Sequence, residues 1–219
     1  FAICTALVMI LAVTANTLDS GSLLYLMSMT DSDVYLNDST RGMEVIGGAK
    51  TIRETEEEIA DILAENDMPG SVYLEGSYKL PVTAKNGSFQ VNFLKCMDTN
   101  TSDYDYTEGY VPLKLDEIAV TKQISDKLGA KIGDRITVNI GGKESEFIIT
   151  AYFQCFNNLG ECARFHQDVE IADDLMTSCF AYQINFDDDP DKTVIDERIE
   201  RLKVIFDNKN IFDTKGFVK

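Results

Sequence analysis

A single histidine, His166, serves a chain of 219 residues, so a site built on several imidazoles is excluded from the start. No Gly-x-Ser-x-Gly stands beside it, which leaves a serine triad with one candidate base and no nucleophile motif. His166 therefore reads as a surface or hydrogen-bonded histidine. No Cys-x-x-Cys pair occurs either, and with one histidine the five cysteines fit no zinc pattern. Basic residues are scarce, 20 Lys and Arg against 37 Asp and Glu, for a formal charge of −17. Such a surface repels nucleic acid phosphates and anionic headgroups, so no nucleic acid partner is expected. A phosphate-binding loop is missing as well. Gly42 and Gly47 with Lys50-Thr51 come near its spacing, but the lysine has to follow the second glycine directly to reach the phosphates.

The apolar run Phe1 to Ala15, which carries no charge, falls short of the roughly 20 apolar residues that span a bilayer. Three readings compete. It is the outer end of a truncated transmembrane helix, the apolar region of a signal peptide ending at Val13-Thr14-Ala15, or a buried soluble helix. The absence of an initial methionine suggests an excised piece, and the first two readings agree that the residues after Ala15 lie outside the cytoplasm. Cys155 and Cys162 flank a Phe-Asn-Asn-Leu-Gly-Glu loop short enough for a disulfide to close, with buried thiols as the other reading. Cys96 and Cys179 are distant in sequence, and Cys4 sits in the apolar run. Asp103-x-Asp105-x-Thr107 resembles the start of a calcium loop, yet the glycine comes late at Gly109 and Lys114 holds the place of the bidentate acid. The acidic groups Asp173-Asp174 and Asp187 to Asp189 fall in turns and helix starts, where capping accounts for them. Catalytic, cofactor-binding and metal-binding residues are accordingly expected to be absent, and no binding residue is assigned.

The remainder of the chain is regular. At 44% hydrophobic residues it can bury one substantial core or two small ones. Residues from Asn16 to Met29 can continue the first apolar segment into the domain, and Val34-Tyr35-Leu36 reads as a strand. Thr51 to Asn66 reads as a helix, opened by the Thr51-x-x-Glu54 capping box and carrying Ile52, Ile59, Ile62 and Leu63 on one stripe. Its acids Glu54, Glu56, Glu57 and Glu58 suit the positive end of the helix dipole. Ser71 to Tyr78 comes next as a strand, completing a βαβ unit. Phe89 to Met97 is a further strand and Asp98 to Gly109 a loop. Toward the end, Val169 to Ile171 reads as a strand, Ala172 to Ser178 as a short helix and Phe180 to Phe186 as a strand. Asp191 to about Asp207 reads as a helix with Val194, Ile195, Ile199, Leu202 and Phe206 inward and Glu197 and Arg201 paired outward. Ile211 to Val218 closes a second βαβ-like unit.

The most informative stretch is Glu117 to Phe153. Glu117 to Val120 is a β-branched run, Thr121 caps a helix with Ile124 and Leu128 on one face, and Gly129 ends it. Gly133-Asp134 turns the chain into a strand, Arg135 to Ile140, in which Ile136, Val138 and Ile140 alternate with polar neighbours. Gly141-Gly142 signals a hairpin, and Phe147 to Phe153 returns as a strand. This order of strand, short helix ending in Leu-Gly, Gly-Asp turn, strand and Ile149-Thr-Ala-Tyr-Phe resembles the extracytoplasmic domain of FtsX-like and MacB-like ABC transporter permeases. Ala151 stands where that family more often has glycine.

The resemblance implies an α+β fold in which porter-like βαβ units from both ends of the chain form one layer around an inserted β-rich subdomain. On this division 1–15 ends a transmembrane helix, 16–88 and 178–219 are the two porter-like parts, and 89–177 is the insert. It implies a non-enzymatic domain on the extracellular or periplasmic side of the cell membrane, linking a separate cytoplasmic ATP-binding subunit to export, lipoprotein release or extracellular sensing. Implied partners are that subunit, reached through the membrane part, a second permease copy, and an extracytoplasmic protein or peptide; no cofactor is implied. The other reading is a secreted or surface-anchored binding protein with a signal peptide. Without a phosphate loop, the purified chain is expected neither to bind nor to hydrolyse nucleotide. Saturable ATP binding in titration calorimetry would contradict this.

Overall fold

The computed structural model describes Leu24, Met29 and residues 31–96, 100–178 and 181–214. Phe1 to Ala15, with its three readings, lies outside the described residues, as do Cys4 and Cys179. No helix among the described residues is long and apolar enough to cross a membrane. In chain order the elements are β1 (Val34–Asn37), α1 (Ser39–Ile46), α2 (Ile52–Glu65), β2 (Gly70–Ala84), β3 (Gly87–Cys96), β4 (Glu108–Gly109) and β5 (Glu117–Thr121). Then come α3 (Lys122–Leu128), β6 (Arg135–Ile140), β7 (Lys143–Phe153), β8 (Cys162–Phe165), β9 (Met176–Ser178), β10 (Ala181–Phe186), α4 (Lys192–Ile205) and β11 (Ile211–Asp213).

The first and last described parts of the chain interleave. Strands run in the order β11-β1-β10-β2, each antiparallel to its neighbours. Since β10 lies between β1 and β2, those two are parallel and their crossover carries α1 and α2. Since β1 lies between β10 and β11, these are also parallel, with α4 as their crossover. Each βαβ unit is therefore split by a strand of the other, and neither can form its sheet alone. Register places Val34, Leu36, Val72, Leu74, Tyr182, Ile184 and Ile211 on one face. There they share a core with Ile59 and Leu63 of α2 and Ile195, Ile199 and Leu202 of α4.

Local chemistry explains where the helices begin. Thr51 accepts from the Glu54 N–H while Glu54 accepts from the Thr51 N–H, the reciprocal pair expected of the capping box. The Thr51 N–H and hydroxyl hold the Glu54 carboxyl below its ordinary range. Its contribution is thus present at neutral pH and fades as pH falls through the carboxylate range. Asp38 caps α1 and Asp191 caps α4, accepting from Val194 N–H at 3.1 Å. Arg41 at the start of α1 bridges Asp38 and Glu58 of α2, and Lys50 reaches the same Glu58.

The middle of the chain closes on itself. Strand β2 pairs with β3, β3 with β8, β8 with β5, β5 with β7, β7 with β6, and β6 returns to β2 at Val82↔Val138. The result is a closed ring of six strands filled by Tyr78, Val82, Phe93, Ile118, Val138, Ile149 and Phe165. Phe93 and Phe165 stack at 4.3 Å. Ile124 and Leu128 of α3 join this filling. The Gly141-Gly142 hairpin forms as expected, with φ of 58° and 90° at its two residues.

The structure departs from the sequence reading in several places. Ala172 to Ser178 is a 3₁₀ turn, Asp173–Leu175, leading into strand β9, because Met176 and Ser178 pair with β2. Residues 169–171 form no strand, although Val169 and Ile171 are buried. The loop Asp98 to Gly109 ends in β4, which pairs with β7. Here Gly109 is required, since a Cβ would meet the Thr150 carbonyl oxygen at 2.2 Å. Arg201 donates to the Asn66 carbonyl at 2.7 Å rather than lying only along its own helix. Helix α1 and strand β8 are additions that the residue pattern does not announce. Within Ile211 to Val218 the described strand is β11, and residues 215–219 lie outside the described set.

Ile199 and Leu202 join two crossovers to one sheet, so Ile199→Ala or Leu202→Ala should each remove roughly 2 to 5 kcal/mol of unfolding free energy. Denaturant titration checks this, with exposed Val204→Ala as the control that leaves the midpoint in place.

Candidate functional site

The segment that resembles a transporter domain also helps to build a concavity. An open cleft of about 860 Å³ lies between β4, the start of α3, the end of β7 and the turn after it. Thr107 and Glu108 form one side, Lys122, Gln123 and Asp126 another, and Tyr152 to Phe156 with Leu159 and Gly160 the rest. Thr121 places α3 by capping it, its side chain accepting from the Ile124 N–H, and Gly129 ends it in the left-handed region. Because α3 is anchored at both ends, Lys122 and Asp126 stand one turn apart on its outer face, 3.1 Å from each other.

Tyr152 sets the position of the helix from below. Its hydroxyl lies 3.0 Å from Ser125 Oγ, which itself donates to the Ala130 carbonyl at 2.7 Å. The Lys122 ammonium stands 5.2 Å above the Tyr152 ring. Asp126, then Tyr152 and Glu108, hold this lysine charged above its ordinary range. The cleft therefore combines an engaged cation, two acids and an apolar lip at Phe156 and Leu159, which are exposed. Such an arrangement can hold a ligand. A second groove of about 760 Å³ shares Lys122 and Asp126 with the cleft and is lined further by Lys85, Lys131, Asp134 and Arg135.

Behind the cleft, the outer face of the barrel carries a buried cation. Arg164 of β8 is sandwiched between the rings of Tyr104, at 3.7 Å, and Phe153, at 4.9 Å. Tyr104 comes from the segment that resembles a calcium loop. Thr101 and Gln167 tie that segment down through hydrogen bonds, and Tyr106 donates to the Thr101 carbonyl. Asp103 and Asp105 lie on the exposed surface. The segment thus works as a lid over Arg164.

The residues weighed from sequence fall into structural roles. His166 Nδ1 accepts from the Asp168 N–H at 3.2 Å. Asp173 accepts from the Ile52 N–H at 3.0 Å, adding a distant cap to α2. Asp188 makes a two-pronged contact with Arg198 at 2.7 and 2.5 Å, and that guanidinium lowers the carboxyl's pKa. Gly42 lies inside α1 and Gly47 ends it, so no phosphate-cradling loop exists there. Cys155 and Cys162, by contrast, are brought together, with their sulfurs 3.6 Å apart. Of these residues Cys155 alone lines the cleft, whose shape depends on where α3 sits against β7.

No family model matches the chain, and no curated protein matches it. Solved structures do. The periplasmic region of MacB from Actinobacillus actinomycetemcomitans is similar with a TM-score of 0.49 and 13% identity, over 86% of this chain and 91% of that one. The extracellular domain of the ABC-type transporter YknZ from Gram-positive bacteria gives 0.44 and 9%, over 84% and 99%. A domain of a permease protein from Porphyromonas gingivalis gives 0.42 and 12%, over 67% and 75%.

If Tyr152 positions α3 through Ser125, Tyr152→Phe should lower stability by about 1 kcal/mol. Denaturant unfolding measures the loss, and an unchanged midpoint would remove Tyr152 from that role.

Proposed function

We propose that this chain is the extracytoplasmic domain of an ABC transporter permease subunit, coupling a cytoplasmic ATPase cycle to export, lipoprotein release or extracellular sensing. The observation that carries the reading is the pairing of the first and last described strands. Strands β1 and β11 are hydrogen-bonded neighbours, Val34↔Asp213 through Leu36↔Ile211. A domain carried between two membrane helices has to return its end to where it began, and this sheet does so. Movement imposed on one end is then transmitted to the other through paired backbone rather than through a flexible linker.

The stretch Glu117 to Phe153 adds support, because β5, α3, the Gly133-Asp134 turn, β6, the Gly-Gly hairpin and β7 come in the order that the resemblance implies. The domain itself is a non-enzymatic one. Its partners are a separate cytoplasmic ATP-binding subunit, a second permease copy and an extracytoplasmic protein or peptide. Fold alone does not fix function, so the reading is tested on the whole protein.

The full-length protein, extracted from membranes in mild detergent, should bring a nucleotide-hydrolysing subunit with it. In intact cells the domain should be cleaved by protease added outside. Recovery from the culture medium with no ATPase attached would contradict the proposal and favour a secreted binding protein.

A further inference from the structure

We propose that Cys155 and Cys162 are joined as an intrachain disulfide, formed by exchange with an organic disulfide that arrives through the cleft. Residue spacing alone leaves a bond and a pair of buried thiols as alternatives. The structure supplies the geometry, since β7 leads out to Cys155 and the 3₁₀ turn Asn157–Gly160 folds straight back into β8 at Cys162. The sulfurs stand 3.6 Å apart, so small side-chain rotations reach the roughly 2.05 Å of a bond. Three successive residues of that turn, Asn158, Leu159 and Gly160, have φ of 51°, 57° and 81°. This sharp reversal is what places the two side chains side by side.

The two sulfurs are not equivalent. Cys155 lines the cleft and retains 7% exposure, whereas Cys162 is wholly buried. Access therefore makes Cys155 the attacking group. Its thiolate attacks one sulfur of the organic disulfide, forming a mixed disulfide and releasing one thiolate. Cys162, after losing its proton, attacks the Cys155 sulfur and expels the second thiolate. The two protons given up by the cysteines end on the two released thiols, and the organic disulfide is the species reduced. The turn itself holds the Cys162 sulfur in place, with the Asn158 side-chain N–H donating to it at 3.6 Å and the Asn157 carbonyl 3.2 Å away.

The bond closes the loop Phe156 to Glu161 and pins Leu159, which is 95% exposed, on the lip of the cleft. That the oxidised form is the resident one rests on the extracytoplasmic reading, because thiols stay reduced in most cytosols. The pairing itself does not.

The test uses the folded chain incubated with oxidised glutathione, quenched by alkylation and mapped by peptide mass spectrometry. The expected product links the Cys155 and Cys162 peptides with loss of two hydrogens, and proteolysis within the loop slows several-fold until dithiothreitol is added. Cys162→Ser should hold a glutathione adduct on Cys155, while Cys155→Ser should leave Cys162 unmodified over the same time. Linkage of Cys155 to Cys4, Cys96 or Cys179, or complete alkylation of both cysteines in the wild-type chain, would overturn the pairing. An adduct forming on Cys162 in Cys155→Ser as fast as on Cys155 in Cys162→Ser would overturn the order of attack. Linkage in the tube combined with a cytoplasmic location in cells would sink the extracytoplasmic reading and leave the pairing standing.

Discussion

Strand β2 has to satisfy two sheets at once, and the rest of the fold depends on that constraint. Over residues 70–74 it pairs with β10, at Ser77 and Tyr78 with β9, and at Val82 and Thr83 with β6, while β3 runs along its other side from Glu75 to Ala84. An unpaired buried amide is expensive, so each of these partners must be in place before the strand is satisfied. Apart from Tyr73, its buried positions, Val72, Leu74, Gly76, Tyr78, Leu80 and Val82, keep one parity from end to end. One face of β2 thereby passes from the helix-covered sheet into the barrel without a break, and the apolar core is continuous across both.

This continuity gives the proposed function its physical basis. The interleaved crossovers fix β1 and β11 against each other, and β2 carries that sheet into the barrel that bears the cleft. A shift of β1 relative to β11 has no soft linker in which to dissipate between the sheet and the barrel. The cleft is in turn tied to β7 and α3 by Tyr152, Ser125 and the lid over Arg164, so its shape depends on the same core.

Much of this is legible in the sequence, for identifiable reasons. The capping box at Thr51, the caps at Thr121 and Asp191 and the Gly-Gly hairpin rest on local hydrogen bonds that residue spacing reports directly. The stripes on α2 and α4 are visible because each helix buries only one face. Other elements are hidden by their surroundings. Cys162-Ala-Arg-Phe shows no alternation because every residue of β8 is buried, with Arg164 held against two rings distant in sequence. Helix α1 carries Gly42 in its interior and buries only that residue and Val45, so its periodicity is faint. Strand β2 reads from sequence as ending at Tyr78, although Leu80 and Val82 continue its parity past Pro81, which lies between the β9 and β6 pairings. The cleft leaves no local signal, since it arises from the packing of α3 against β7.

Native-state hydrogen exchange in rising denaturant tests the central claim, that one core and one shared strand join the interleaved sheet to the barrel. Amides of β1 and β10 should lose protection at the same denaturant concentration as those of β2, β6 and β7 in the barrel, as expected of one cooperative unit. Loss of protection in β1 and β10 while the barrel amides remain closed would contradict it.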